Sequence, residues 1–182
     1  MTDLFATKAA NIHRSILLQD FARWQSFSAS INRESLLATW TPIEFKFDAE
    51  SKTSVQMSSI CTVYMSGILA FRADVKADLF PGACVGLEFL PITVGAEPWL
   101  LLNCLNTVMQ FDEKKSSVMR GLDGDIFMVL ELTVTDPVAP RHELFTLAQS
   151  NRSQLFALPS FKNRVEELGL KGISFDRIGE VA

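Results

Sequence analysis

Few residues of this chain can exchange protons, attack a substrate or bind a metal: two histidines, three cysteines and one cluster of carboxylates. His13 follows Ile12 in an amphipathic stretch and reads as a surface or boundary residue. His142 follows Pro140-Arg141 in loop-like sequence, far from His13 along the chain. A Ser/His/Asp arrangement is spatial and needs no fixed spacing, but the chain has no Gly-x-Ser-x-Gly elbow, no His-Glu-x-x-His and no Walker A loop. These residues predict a non-enzymatic protein.

The carboxylates are more concentrated. Asp112, Glu113, Asp123 and Asp125 bracket one polar insert, whose Gly and Asp content predicts an exposed loop. Together they would offer a local negative patch to a cationic partner; taken singly, each is better explained by a solvated turn. Asp123-Gly-Asp125 lacks the wider ligand series of a calcium loop, so no metal is predicted, and no cofactor. Asn103 and Asn106 interrupt an apolar run, and a buried amide must find hydrogen-bond partners. Bracing a neighbouring loop is the simpler role, and a small ligand or enzyme pocket shared with His142 is the alternative. Cys61, Cys84 and Cys104 form no CxxC pair and leave an odd thiol, which fits a reducing compartment. All three read as buried small apolar residues.

The elements that must hold these groups follow from periodicity. At 182 residues the chain fits one domain, 1–182, able to bury roughly 70% of its unfolded surface. Hydrophobic content is 48% and Phe outnumbers Tyr 14 to 1, so aromatic residues serve packing, Trp24, Trp40 and Trp99 included. Net charge is −4, and no basic cluster exceeds Lys114-Lys115, which argues against nucleic acid as a partner. There is no secretory h-region near the start, and the apolar run around Trp99–Leu105 is too short to cross a bilayer, so a cytoplasmic protein without membrane contact is expected.

Apolar positions at Phe5, Ala9, Ile12, Ile16, Leu17, Phe21 and Trp24 predict one amphipathic helix over about 4–27, whole or broken. Thr41–Phe47 alternates as a half-buried strand. Val85–Val94 and Trp99–Val108 form a hairpin across Gly95–Pro98, and Ile126–Val134 is a long strand stopped by Asp136-Pro137. Leu155–Ile178 echoes Ile68–Ile92. In each an apolar tetrad leads through a short charged helix and a glycine to a second strand, with Ser160 as the cap and Gly169 as the stop of the later helix. The prediction is α+β: a largely antiparallel sheet with flanking helices, built on two related strand-helix-strand units around a shared core.

The order Leu87-Glu-Phe-Leu-Pro-Ile92, then Trp99-Leu-Leu-Leu-Asn-Cys-Leu-Asn-Thr-Val108, Asp112 and Ser116, then Gly169-Leu-Lys-Gly-Ile-Ser-Phe175, resembles immunity protein family 11 of bacterial polymorphic toxin systems. The similarity runs over about 68–178 and leaves the first sixty residues and Arg120–Asp125 without a counterpart. It implies an antitoxin of interbacterial competition, a cytoplasmic protein that binds a cognate secretion-system effector and occludes it. It carries over no active residues. An effector adaptor or chaperone is a further reading of the same binding role, and homo-oligomers are left open. The contact surface is placed at Asp112, Glu113, Asp123 and Asp125.

Overall fold

β-Branched and aromatic runs broken by Gly, Pro and Asp turns give a chain built mostly of short strands. The computed structural model describes residues 1–10, 15–31, 34–48, 58–63, 67–82, 84–150 and 154–182. In chain order the strands begin β1 (Thr2–Ala9), β2 (Ile16–Leu18), β3 (Ile43–Phe47), β4 (Ile60–Thr62), β5 (Leu69–Arg72), β6 (Leu87–Val94) and β7 (Glu97–Cys104). They continue with β8 (Thr107–Val108), β9 (Ser117–Arg120), β10 (Ile126–Val134), β11 (Leu144–Leu147), β12 (Phe156–Ala157) and β13 (Ile173–Val181). The helices are α1 (Trp24–Ser30), α2 (Lys76–Leu79) and α3 (Pro159–Glu167). The fold is α+β, with one seven-stranded sheet, β8-β11-β12-β1-β13-β10-β9, and one six-stranded sheet, β2-β3-β6-β7-β5-β4. Parallel pairs β3–β6, β10–β13 and β8–β11 make both sheets mixed rather than purely antiparallel.

The echo in the sequence is the visible part of a larger duplication. From β2 to β4 the six-stranded sheet pairs antiparallel, parallel, then three times antiparallel. From β9 to β11 the other sheet repeats that series. Strands β2, β3, β4, β5, β6 and β7 thus correspond to β9, β10, β11, β12, β13 and β1. The counterpart of β7 comes from the far end of the chain. In the first unit β6 turns into β7 at Gly95, which holds φ +64°, with Val94 opposite Glu97. In the second, Val181 lies opposite Thr2, so the chain termini stand where that turn would be.

Both units contribute to the core between the sheets. Leu69, Phe71 and Leu102 meet Leu144, Ala157 and Ile173, with Leu79 of α2 and Phe161 and Val165 of α3 filling the same cluster. The helices meet through stacked Phe80 and Phe161 rings 5.8 Å apart. The outer face of the six-stranded sheet is covered by α1, through Phe27 against Phe45. The seven-stranded sheet curls onto itself instead: Asp112 N–H donates to Thr133 O at 2.8 Å and Thr135 N–H to Gln110 O at 3.2 Å, enclosing Leu4, Val134, Phe145 and Phe156.

Four expectations are corrected. The helix over 4–27 is in fact β1, β2 and the short α1, with 11–14 (Ile12 and His13 among them) outside the described residues. Leu4 and Ala6 are buried on one face at strand spacing, and two ladders outweigh the helical periodicity. The hairpin loop is shorter than Gly95–Pro98, since Pro98 already pairs with Thr93. Ser160 is not the cap of α3: Leu158 holds that position and Pro159 opens the helix, its ring fixing a helical φ. The predicted stop at Gly169 does hold, with φ +62° and Leu170 N–H donating to Val165 O. Cys61 and Cys104 are buried, but Cys84 is partly exposed and donates to Gly82 O at 3.3 Å.

At Gly179 (φ +157°) a Cβ would lie 1.9 Å from Leu132 O, whereas at Gly82 it would meet nothing within 4 Å. Gly179→Ala is therefore expected to destabilise by about 2 kcal/mol or more, by separating β10 from β13, and Gly82→Ala by less than about 0.5 kcal/mol. Urea unfolding of both variants checks the contrast.

Candidate functional site

Strand β10 is longer than the sheet it belongs to. Its end, Leu132–Val134, pairs with Gly179–Val181 of β13, while its first half has its ladder with β9 and is tied on the other side, Ile126 N–H donating to Gln149 O at 2.8 Å and Val129 N–H to Gln154 Oε1 at 2.6 Å; the β9–β10 ribbon is termed the arm. Register shifts between Ile126 and Met128 and between Val129 and Glu131 leave Phe127 and Leu130 as extra residues. Such bulges raise the twist and re-aim side chains. Ile126, Val129 and Leu132 consequently point into the core at intervals of three, with Val118 opposite Val129 packed against them. Met119 and its partner Met128 face outward at 45% and 42% exposure, beside Leu130 at 55%. Phe127 is also exposed, and Leu122 stands fully exposed at the turn. This is the densest group of large exposed apolar side chains among the described residues.

The four predicted carboxylates all sit on this arm or at its root, in two different states. Asp112 accepts from Lys114 N–H at 2.9 Å and Lys115 N–H at 3.3 Å, which shapes the turn ahead of β9. Glu113 pairs with the Arg120 guanidinium at 2.8 Å, and Arg120 also donates to Gly124 O at 3.0 Å, binding root to tip. Asp123 accepts from Asp125 N–H at 3.2 Å in a turn closed by Gly121 N–H to Asp125 O at 2.8 Å. Among the described residues neither Asp123 nor Asp125 has a cationic partner, nor does Glu131 on β10. The polar insert is thus not all loop, since Ser117–Arg120 is strand. The apolar half of the arm escaped the sequence reading because Ile126–Val134 lacks polar alternation and resembles a strand buried on both faces. Its one sequence signal is an apolar run lying directly against a polar insert.

The alternative pocket is only partly assembled. A cleft of about 340 Å³ brings Asn106, Arg141, His142, Glu143, Arg164 and Cys84 together, but not Asn103. Two of its polar groups, Arg164 and Glu143, are engaged with each other. Arg164 is bidentate to Glu143 at 2.8 and 2.7 Å and donates to Leu79 O at 3.1 Å. Those hydrogen bonds hold the Glu143 carboxyl below the usual glutamate range, against the opposing effect of burial. Asn106 donates to Val85 O at 3.2 Å and Leu144 O at 3.1 Å, a brace between the two units. Asn103 donates to Glu34 O at 3.0 Å and to the buried Glu88 carboxylate at 2.9 Å. Burial would raise the Glu88 carboxyl, but hydrogen bonds from Leu36 N–H, Ser35 and Asn103 together bring it below the usual range. Both asparagines thus brace loops.

Among the described residues no three of His, Cys, Asp and Glu come together as metal ligands, and no helix is long and apolar enough to cross a membrane. No family model matches this chain, and no curated protein matches it.

The root of the arm depends on Asp136, a buried carboxylate that accepts from Met109 N–H at 2.8 Å and Val138 N–H at 3.0 Å. These bonds hold its carboxyl below the usual aspartate range. A depressed folded-state pKa stabilises above the unfolded value and loses that contribution as pH falls through the folded one. Asp136→Asn should cost about 1–2 kcal/mol at pH 7, a deficit that begins to shrink below about pH 4, where the carboxyl of the unfolded chain protonates, and goes on shrinking as the folded one protonates at lower pH. Urea unfolding of both proteins from pH 7 to pH 3 measures this.

Proposed function

We propose that this chain is a non-enzymatic immunity protein that neutralises a cognate bacterial toxin in the cytoplasm by binding and occluding it. One observation carries the reading: the β9–β10 arm turns Met119, Met128 and Leu130 to solvent beside uncompensated carboxylates. Isolated exposed apolar residues are ordinary on protein surfaces, but a group on one face marks an interaction site. Methionine and aromatic side chains are also favoured at interface centres. Burying Met128 or Leu130 from half exposure contributes on the order of 1 kcal/mol each. Asp123 and Asp125 act differently: at the rim they attract a basic toxin and speed encounter, with little effect on the lifetime of the complex. The order of core and turn segments that resembles immunity family 11 points to the same role, and the braced cleft gives a ligand-binding enzyme no comparable support.

The test is co-expression with the toxin-like product of the adjacent gene, scoring survival and co-purification. Survival with a stable complex is the expected result. A complex without survival would make the chain an adaptor or chaperone, and toxicity with no complex would remove the proposal. Within the complex, Asp123→Lys with Asp125→Lys should slow association several-fold at low salt, an effect that fades above about 0.3 M salt. Met128→Glu with Leu130→Glu should instead speed dissociation at least tenfold. Stopped-flow and surface-binding kinetics separate the two.

A further inference from the structure

We propose that the toxin joins the seven-stranded sheet as an added strand along β9, offering an extended segment in which apolar and basic side chains alternate. This rests on the reading of the arm as the toxin-binding surface and names how that surface is used. An edge strand exposes a row of N–H and C=O groups that template another strand, and such edges are usually covered or blocked. The other edges of the two sheets are shorter, and each is engaged at some point. β2, the counterpart of β9, is only three residues long and is bridged at Ile16 by Val63. At β4, Ser59 and Ile60 N–H both donate to Lys171 O, at 2.9 and 3.2 Å. β8 runs on into the segment that pairs with the end of β10. β9 differs: its ladder is with β10, and among the described residues no other backbone group bonds to the main chain of Ser117–Arg120.

The bulges that twist this pair lie on β10, not on β9 itself. Ser117-Val-Met-Arg120 has no proline, and its one charge, Arg120, turns to Glu113 and the turn at Gly124. Main-chain bonding gives such an edge affinity, and alternate side chains give it specificity. On the outer face the incoming strand lies beside Met119, which takes an apolar group, with Met128 one strand further in. Near the tip it meets Asp123 and Asp125, which take basic ones. Charge also selects the occupant: a second copy would bring together two chains of net charge −4, whereas a basic segment is attracted.

Amide hydrogen exchange on the complex with the adjacent-gene product tests this, reading the peptide that spans Ser117–Arg120. Slowing of at least tenfold in that peptide is expected, together with a tenfold or greater loss of affinity in Met119→Lys, whose exposed site leaves folding intact. A neutralising complex with unchanged exchange at β9 would overturn strand addition while leaving the immunity role standing. No complex at all would overturn both. A dimer of this chain alone that protects β9 in sedimentation and exchange measurements would give the edge to a second copy and refute the proposal.

Discussion

The structure depends on the insertion of β1 between β12 and β13. Leu4 is fully buried there, Phe5 and Ala6 pair with Ala157 and Phe156 on one side, and the whole strand pairs with β13 on the other. The slot is specified by its side chains as well: Thr7 donates from both its amide and its hydroxyl to Leu155 O, Arg177 reaches Asp3 at 2.8 Å, and Lys8 pairs with Asp176. Without β1 the seven-stranded sheet would divide into β8-β11-β12 and β13-β10-β9. Exposed pairs such as Arg177–Asp3 and Lys8–Asp176 add about 0–1 kcal/mol each, so the ladders and the burial of Leu4 dominate.

That insertion reaches the candidate site through a short chain of contacts. β1 holds β13, β13 holds the end of β10, and the first half of β10 carries β9 and the exposed methionines. The duplication shows what has diverged between the units. Their pairing series are the same, but the edge strand of the first is bridged at Ile16 by Val63 while that of the second bonds only β10 beside an exposed apolar face. A duplicated core thus secures the fold, and one edge strand keeps a single ladder.

The sequence was most legible where local rules and tertiary structure agree. β10 occupies the predicted Ile126–Val134, Gly169 ends α3, and the tetrads at Ile68 and Leu155 open matching strand-helix-strand units. It was least legible where long-range pairing decides. Phe5, Ala9 and Ile12 have helical spacing by coincidence, and only a slot supplied by residues some 150 positions away makes Thr2–Ala9 a strand. The carboxylates of the arm could be read from their clustering. The outward face of Met119, Met128 and Leu130 could not, because two bulges shift the inward positions from every second residue to every third.

Circular permutation tests the central claim, that β1 completes a second copy of one six-stranded unit. Joining Ala182 to Met1 through a short glycine-rich linker and opening the chain between Gly95 and Ala96 exchanges the two turn positions. The account predicts a folded protein with the strand content of the parent by circular dichroism, a single cooperative unfolding transition, and a Tm within about 5 °C of the parent. An unfolded or molten permutant would show that β1 and β13 do not stand as β7 and β6 do, and would contradict the duplication on which the arm's position rests.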